Sequence, residues 1–221
     1  MLVPHLTRIC HGWHSNVMAS STAIRERQAT IVHEVILDAL ADLLESEDPE
    51  TITMARVAGH ADVSLRTLYR YFPTREDLFG AVGDHVVARL GLPPDINGAD
   101  DISANFLESS ARGAKHPKLI RSMLDTSLGR RARADHRRRR IDGVGNALAQ
   151  LTSHLDPSEA QSQAGAIIYL ASLNAWVTIS EECNLSSDDA RRGVAWAIDT
   201  LVAELRRENT AEQLKTQGET E

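Results

Sequence analysis

Between Thr53 and Pro73 the chain has room for two short helices and a tight turn, and its residue types ask for that arrangement. Met54, Val57, Ala58 and Ala61 recur at three- and four-residue steps, the period that gathers apolar side chains on one helical face. Thr53 stands where a hydroxyl can cap that helix, and Ser64 stands where one can cap the next, Leu65 to Phe72. The turn is Ala61-Asp62-Val63, and Pro73 stops the second helix. Longer periodic stretches flank the pair. Upstream, Ile24, Ile31, Val32, Val35, Ile36, Ala39, Leu40, Leu43 and Leu44 predict a long helix that ends before Pro49. Downstream, Thr74 and Asp77 resemble a capping box, ahead of a helix that carries Leu78, Phe79, Val82, Val86 and Leu90 and ends near Gly91.

Two short helices joined by a tight turn and braced on both sides make a helix-turn-helix, whose second helix suits a major groove. A plain helical bundle with surface arginines fits the short periodicity equally well. Composition narrows the class further. At 221 residues, 42% hydrophobic and 25% charged, with 13 Gly and 7 Pro, the chain is a globular one with room for long helices, neither disordered nor fibrous. Aromatics at 4% leave the core to aliphatic side chains. Cys10 and Cys183 by themselves make neither a disulfide framework nor a zinc site, which fits the cytoplasm. Ala164 to Ile179, the longest apolar stretch, contains Ser172, Asn174 and Thr178 and is too short for a bilayer span, so no membrane segment is expected. Residues 1–23 lack the pattern of a signal peptide and read as a disordered tail, or as an extension of a chain starting at Met18. His5, His11 and His14 are expected to be tail side chains and not metal ligands.

A formal charge of −7 excludes a polyanion binder that works by bulk electrostatics, so the local distribution matters more. Residues 51–75 hold Arg56, Arg66, Arg70 and Arg75 against Asp62 alone. A larger island, residues 112–140, holds 11 Lys and Arg against Asp125 and Asp135.

The run from Thr53 to Phe79, above all Thr67-Leu-Tyr-Arg-Tyr-Phe-Pro-Thr-Arg-Glu-Asp-Leu78, resembles the DNA-binding segment of the TetR family (tetracycline-repressor-like) of transcriptional regulators. The resemblance covers about residues 24–90. One position departs from it: Asp62 stands where the turn usually has Gly, and Asp tolerates a left-handed backbone at some strain. The resemblance implies that Thr53 and Arg75, each at a helix start that favours anions, sit beside phosphates. It further implies that Ser64, Leu65, Arg66, Thr67 and Tyr69 form the exposed start of a recognition helix and that Tyr71 contacts the backbone. Arg66 is the candidate for reading guanine, because a guanidinium can bond both of its major-groove acceptors. Tyr69 and Phe72 read equally as core positions, and Arg70 as a solvated charge.

One such helix reads too few base pairs, so a dimer on a near-palindromic double-stranded operator is expected. The segment 158–182 is too apolar for a single stripe, and 187–207 carries Ala190, Val194, Ile198, Leu201, Val202 and Leu205 on one. The resemblance implies that these last two long helices pair with their mates; periodicity alone permits an intramolecular hairpin.

Helices over 102–114, 117–128 and 130–154 then leave a place for a small-molecule effector. Its candidate contacts are Phe106, Met123, Leu124, Leu148, Ile168 and Trp176, with Ser127, Ser172 and Asn174 as polar handles. Each apolar one reads also as ordinary core. The arginines from Arg130 to Arg140 suit a phosphate-bearing ligand such as an acyl-coenzyme A thioester, although a solvated helix face explains them as well.

The expected organisation is all-α: a tail over 1–23, a helix-turn-helix domain over 24–72, a connecting helix over 73–92, an effector and dimerisation domain over 93–210, and a polar tail over 211–221. The expected function is a ligand-responsive regulator, a repressor in the family's usual mode, without catalytic residues, metal or cofactor. A helical adaptor that has lost DNA binding is the alternative, with Asp62 and the acidic total in its favour. No phosphate loop, nucleophile elbow or metal-spaced cluster supports an enzyme.

Overall fold

Cap residues divide the N-terminal part of the chain into helices at the places its sequence marks. The computed structural model describes residues 10–93 and 96–218, with side chains from residue 23 to 217 in that range. Among them are α1 (Cys10–Ser46), a 3-10 turn (Pro49–Thr51), α2 (Met54–His60), α3 (Leu65–Tyr71) and α4 (Arg75–Arg89). There follow α5 (Asp101–Gly113), α6 (Pro117–Asp125), α7 (Ser127–Ala132), α8 (Ala134–Leu148), α9 (Pro157–Leu170), α10 (Leu173–Glu182) and α11 (Ser187–Gly218). The described residues contain no strand, and the fold is all-α.

Thr53 and Ser64 cap α2 and α3 by accepting the Arg56 and Thr67 N–H groups at 3.2 and 3.0 Å. Thr74 and Asp77 form the reciprocal capping box of α4. Asp62 has a positive φ of 51°. Its backbone N–H reaches the Gly59 carbonyl at 3.4 Å, and the Val63 N–H reaches that of Ala58 at 3.0 Å. This is a Schellman ending with Asp in the place glycine favours, so the turn keeps its geometry at the cost of local strain. Ile36, Leu40 and Leu44 of α1 meet Val57, Leu68, Phe72, Leu78 and Val82 in one core. Each such burial contributes roughly 1.5–3 kcal/mol.

The head is fastened to the rest of the molecule along α1. His85 of α4 lies between Glu34 and Asp38, 2.9 Å from each carboxylate, and Arg89 bonds Asp42 at 2.5 Å. His116 meets Glu45 at 2.6 Å, and the Ser122 hydroxyl at α6 donates to the Leu44 carbonyl at 3.1 Å. On the other side α7 lies directly against α4. A Cβ added to Gly83 would stand 1.7 Å from the Ala132 carbonyl oxygen, so only glycine permits that approach.

Several boundaries differ from the periodicity reading. α1 covers the described residues from Cys10 onward and so includes residues upstream of Ile24, because the apolar period marks only the part of the helix that packs. The expected helices over 117–128 and 130–154 are three, because Thr126 is extended and caps α7 through Gly129 N–H at 2.9 Å. α8 ends at Leu148, and turns follow. The apolar segment 158–182 is broken where Ser172, also extended, caps α10. In both breaks a hydroxyl satisfies a backbone N–H that helix continuation would have used otherwise. α11 carries on to Gly218 through the stretch expected as a polar tail. His5 and the side chains of His11 and His14 lie outside the described residues.

Candidate nucleic-acid interface and effector cavity

The start of α3 presents Ser64, Leu65 and Arg66 to solvent, with Tyr69 one turn further on. Leu65 is 42% exposed and Tyr69 45%, which is far more than a core position allows and leaves Tyr69 on the outer face of α3. Beneath them Leu68 is fully buried and Phe72 nearly so, so the exposed residues stand on a fixed support. Arg66 has no hydrogen bond or ion pair among the described residues, and its guanidinium keeps all its donors. Thr67 is half-buried, and its hydroxyl lies 2.8 Å from that of Ser64.

Other members of the predicted set have work inside the fold. Thr53 is exposed and capping. Tyr71 is half-buried, with the Arg70 guanidinium 5.2 Å over its ring and His33 at its edge. Arg75 donates to the Ile52 carbonyl at 3.1 Å and to that of Pro49 at 2.6 Å, and it lies 4.7 Å over the Phe79 ring. It ties the start of α4 to the 3-10 turn. Arg56 also leaves the basic island: its guanidinium donates to Glu47 at 2.8 and 3.0 Å, and that bond holds the Glu47 carboxyl below its ordinary range. The structure adds a groove between α1 and α3 where Arg25 and Gln28 join Arg70 and Tyr71. The basic residues at the start of the first periodic helix were its only signal in the sequence.

A cavity of about 310 Å³ lies beyond α4, at the lower end of small-molecule sites, which run from roughly 300 Å³ upward. Val86, Val87 and Leu90 of α4 line it with Ile120, Met123 and Leu124 of α6. Of the predicted contacts Met123, Leu124, Ser172 and Asn174 line this cavity, whereas Phe106, Ser127, Leu148, Ile168 and Trp176 do not. Phe106 and Leu148 are core, 1% and 0% exposed, and Ile168 packs against that core. The Trp176 indole N–H donates to the Ser187 carbonyl at 3.3 Å, and Ser127 opens α7. A buried apolar residue and a cavity-lining one share the same periodicity, so the sequence could not separate them. Ser172 does double duty, accepting the Ala175 N–H and donating to the Tyr169 carbonyl at 2.6 Å.

The arginine run is divided by the surface. Arg138 meets Asp135, and Arg139 bonds Asp84 of α4 at 2.7 Å. Arg133, His136, Arg137, Arg139 and Arg140 line the cavity. Arg133 donates to the Met123 and Leu124 carbonyls at 2.6 and 3.1 Å, and Arg140 donates to that of Ile168. Burial, and then Arg133 and Arg137, push the Arg140 guanidinium down to about 10. His136 is lowered too, first by burial and then by Arg139 and Arg140, which favours the neutral imidazole. No group of three or more His, Cys, Asp or Glu side chains stands ready to hold a metal among the described residues. No helix among them is long and apolar enough to cross a membrane.

Residues 36–82 match the bacterial regulatory proteins of the tetR family. The HTH-type transcriptional repressor KstR of Rhodococcus jostii is 28% identical over 170 residues, 72% of this chain and 76% of the relative. The KstR repressor of Mycolicibacterium smegmatis is 29% identical over 171 residues, 72% of this chain and 80% of the relative. Similarity to the nucleoid occlusion factor SlmA of Shewanella denitrificans is shorter, 37% over 82 residues, covering 35% of this chain and 39% of that one. A solved transcriptional regulator from Rhodococcus sp. Rha1 has the same fold, with a TM-score of 0.51 at 19% identity, over 78% of this chain and 96% of its own.

Proposed function

We propose that the chain is a TetR-family transcriptional regulator, a DNA-binding protein and not an enzyme, that represses by holding a near-palindromic operator as a dimer, in the cytoplasm. The observation that carries the reading is the unengaged Arg66 on the exposed face of α3, held over the buried Leu68. Arg66 reads a guanine edge, while Thr53, Tyr71 and the Arg25 and Arg70 groove meet the phosphates. Asp62 does not count against this, because the turn keeps its Schellman hydrogen bonds.

Dimerisation is supported by apolar side chains that the single chain leaves in water. On α11 Trp196 is 69% exposed and Leu201 is also open, and on α9 Tyr169 and Ala166 face outward. α10, by contrast, turns Ala175 and Trp176 inward, so α9 and α11 are the pair that a second copy would meet. A small effector in the cavity acts on head spacing through the elements it touches: α4 continues from the helix-turn-helix, and α6 is clasped to α1 by His116 and Ser122. It shifts operator affinity only if it binds one head spacing better than the other.

Selection of bound duplexes from a random pool, rechecked at two salt concentrations, tests the reading. A palindromic consensus whose affinity falls steeply with salt and is lost in Arg66→Ala is the expected result. No enrichment, or full affinity in Arg66→Ala, refutes it.

A further inference from the structure

We propose that the cavity takes an amphiphilic anion, its apolar body against Val86, Leu90, Met123 and Leu124 and its acid group at Arg133 and Arg140; the inference rests on the effector reading of the same cavity. Charge satisfaction is the first ground. Buried cations are ordinarily paired with acids, as Arg89 is with Asp42 and Arg191 with Asp188, while the half-buried Arg75 is held by two carbonyls and lies over the Phe79 ring. Arg133 and Arg140 are half-buried as well, yet neither has a carboxylate within ion-pair distance among the described residues. Their hydrogen bonds go to neutral carbonyls of α6 and α9; the charges felt by Arg140 are Arg133 and Arg137, and those felt by Arg133 are Arg137 and Arg130, with Asp125 the acid that partly offsets them. Burial, and then the neighbouring arginines, lower both guanidinium groups, with Asp125 opposing the shift at Arg133.

Donor supply is the second ground. A guanidinium carries five N–H groups; Arg133 spends two on carbonyls and Arg140 one, so both keep donors on a cavity that they line. A carboxylate or phosphate oxygen is the acceptor such forks match. The third ground is the opposite wall. The aliphatic residues of α4 and α6 gain nothing from a small inorganic anion, whereas an acyl or alicyclic body would cover them. A free acid brings one anionic group, and a coenzyme A thioester brings phosphates; the shared chemistry is an apolar body that ends in an anion.

The test is calorimetric titration of the full-length protein with decanoate, decanol and decanoyl-coenzyme A, repeated on Arg140→Gln, Arg133→Gln and Arg140→Lys. Decanoate is expected to bind about tenfold or more tightly than decanol, the worth of a charge-assisted hydrogen bond. Arg140→Gln and Arg133→Gln bring that ratio toward one, and Arg140→Lys keeps part of it. Binding of the thioester without the free acid, weakened by the same glutamine variants, supports the anion and selects phosphate as its source. Equal binding of decanoate and decanol by the wild-type protein overturns the proposal, as does a ratio unmoved by either glutamine variant or the absence of binding by all three compounds. The wild-type ratio stands even if one variant fails to fold. Operator binding by the ligand-free protein is scored separately: its absence counts against the regulatory reading, while equal binding of acid and alcohol with operator binding intact counts against the anion alone.

Discussion

The helix-turn-helix and the surroundings of α8 hold their helix ends in different ways. Around α2, α3 and α4 every cap comes from a side chain within three residues: Thr53 on Arg56, Ser64 on Thr67, and Thr74 with Asp77. Around α8 the support comes from a distance. α8 follows Arg133 without a side-chain cap, and at the end of α6 the Met123 and Leu124 carbonyls are met by Arg133 itself. The Ile168 carbonyl near the end of α9 is met by Arg140, 28 residues away. A helix leaves its last carbonyls unpaired, and either neighbours in sequence or visitors from another helix must satisfy them. The first solution gives a rigid module that can be read along the chain; the second makes the geometry of the effector half depend on how its helices assemble.

The largest expected effect is on the assembled side. Gly83→Ala places a methyl group against the Ala132 carbonyl and should destabilise the protein by about 3 kcal/mol, read as a fall in the thermal midpoint. An unchanged midpoint would mean that α4 and α7 can separate freely, and the contrast between the two regions would fail. On the local side, Arg66→Ala should cost about 2 kcal/mol of operator affinity with an unchanged midpoint, measured by fluorescence anisotropy on a selected duplex. Loss of stability instead would give Arg66 a role inside the fold. Ser64→Ala removes the α3 cap and should lower stability by about 1 kcal/mol in a denaturant titration. The smallest effect has the opposite sign: Asp62→Gly relieves a left-handed aspartate and should raise stability by at most about 1 kcal/mol. A loss there would show that the Asp62 side chain contributes more than its backbone strain removes.

The reading head was legible because its information is local. Cap residues, Pro73 and the spacing of Val57, Leu68 and Phe72 each act within a turn or two of themselves. Exposure was harder: Tyr69 lies in α3 and stays exposed, whereas Phe72 is the extended residue that ends the helix and enters the core beside His33 of α1. In the effector half the same period that marks Phe106 and Leu148 as apolar cannot say that they fill the core while Met123 and Leu124 face a cavity. Nor can four consecutive arginines, Arg137 to Arg140, tell which of them turns away from water.

By itself, then, the sequence determined an all-α chain and the helix-turn-helix with its caps, because hydrogen bonds within a helix turn and a 3.6-residue period are short-range properties. Only the tertiary structure decided that Arg75 and Arg56 are held by neighbours, that α7 meets α4 at Gly83, and that Arg133 and Arg140 line a cavity and bond backbone carbonyls. Those outcomes depend on which helices meet, and their meeting is set by the whole core and not by any one segment of the chain.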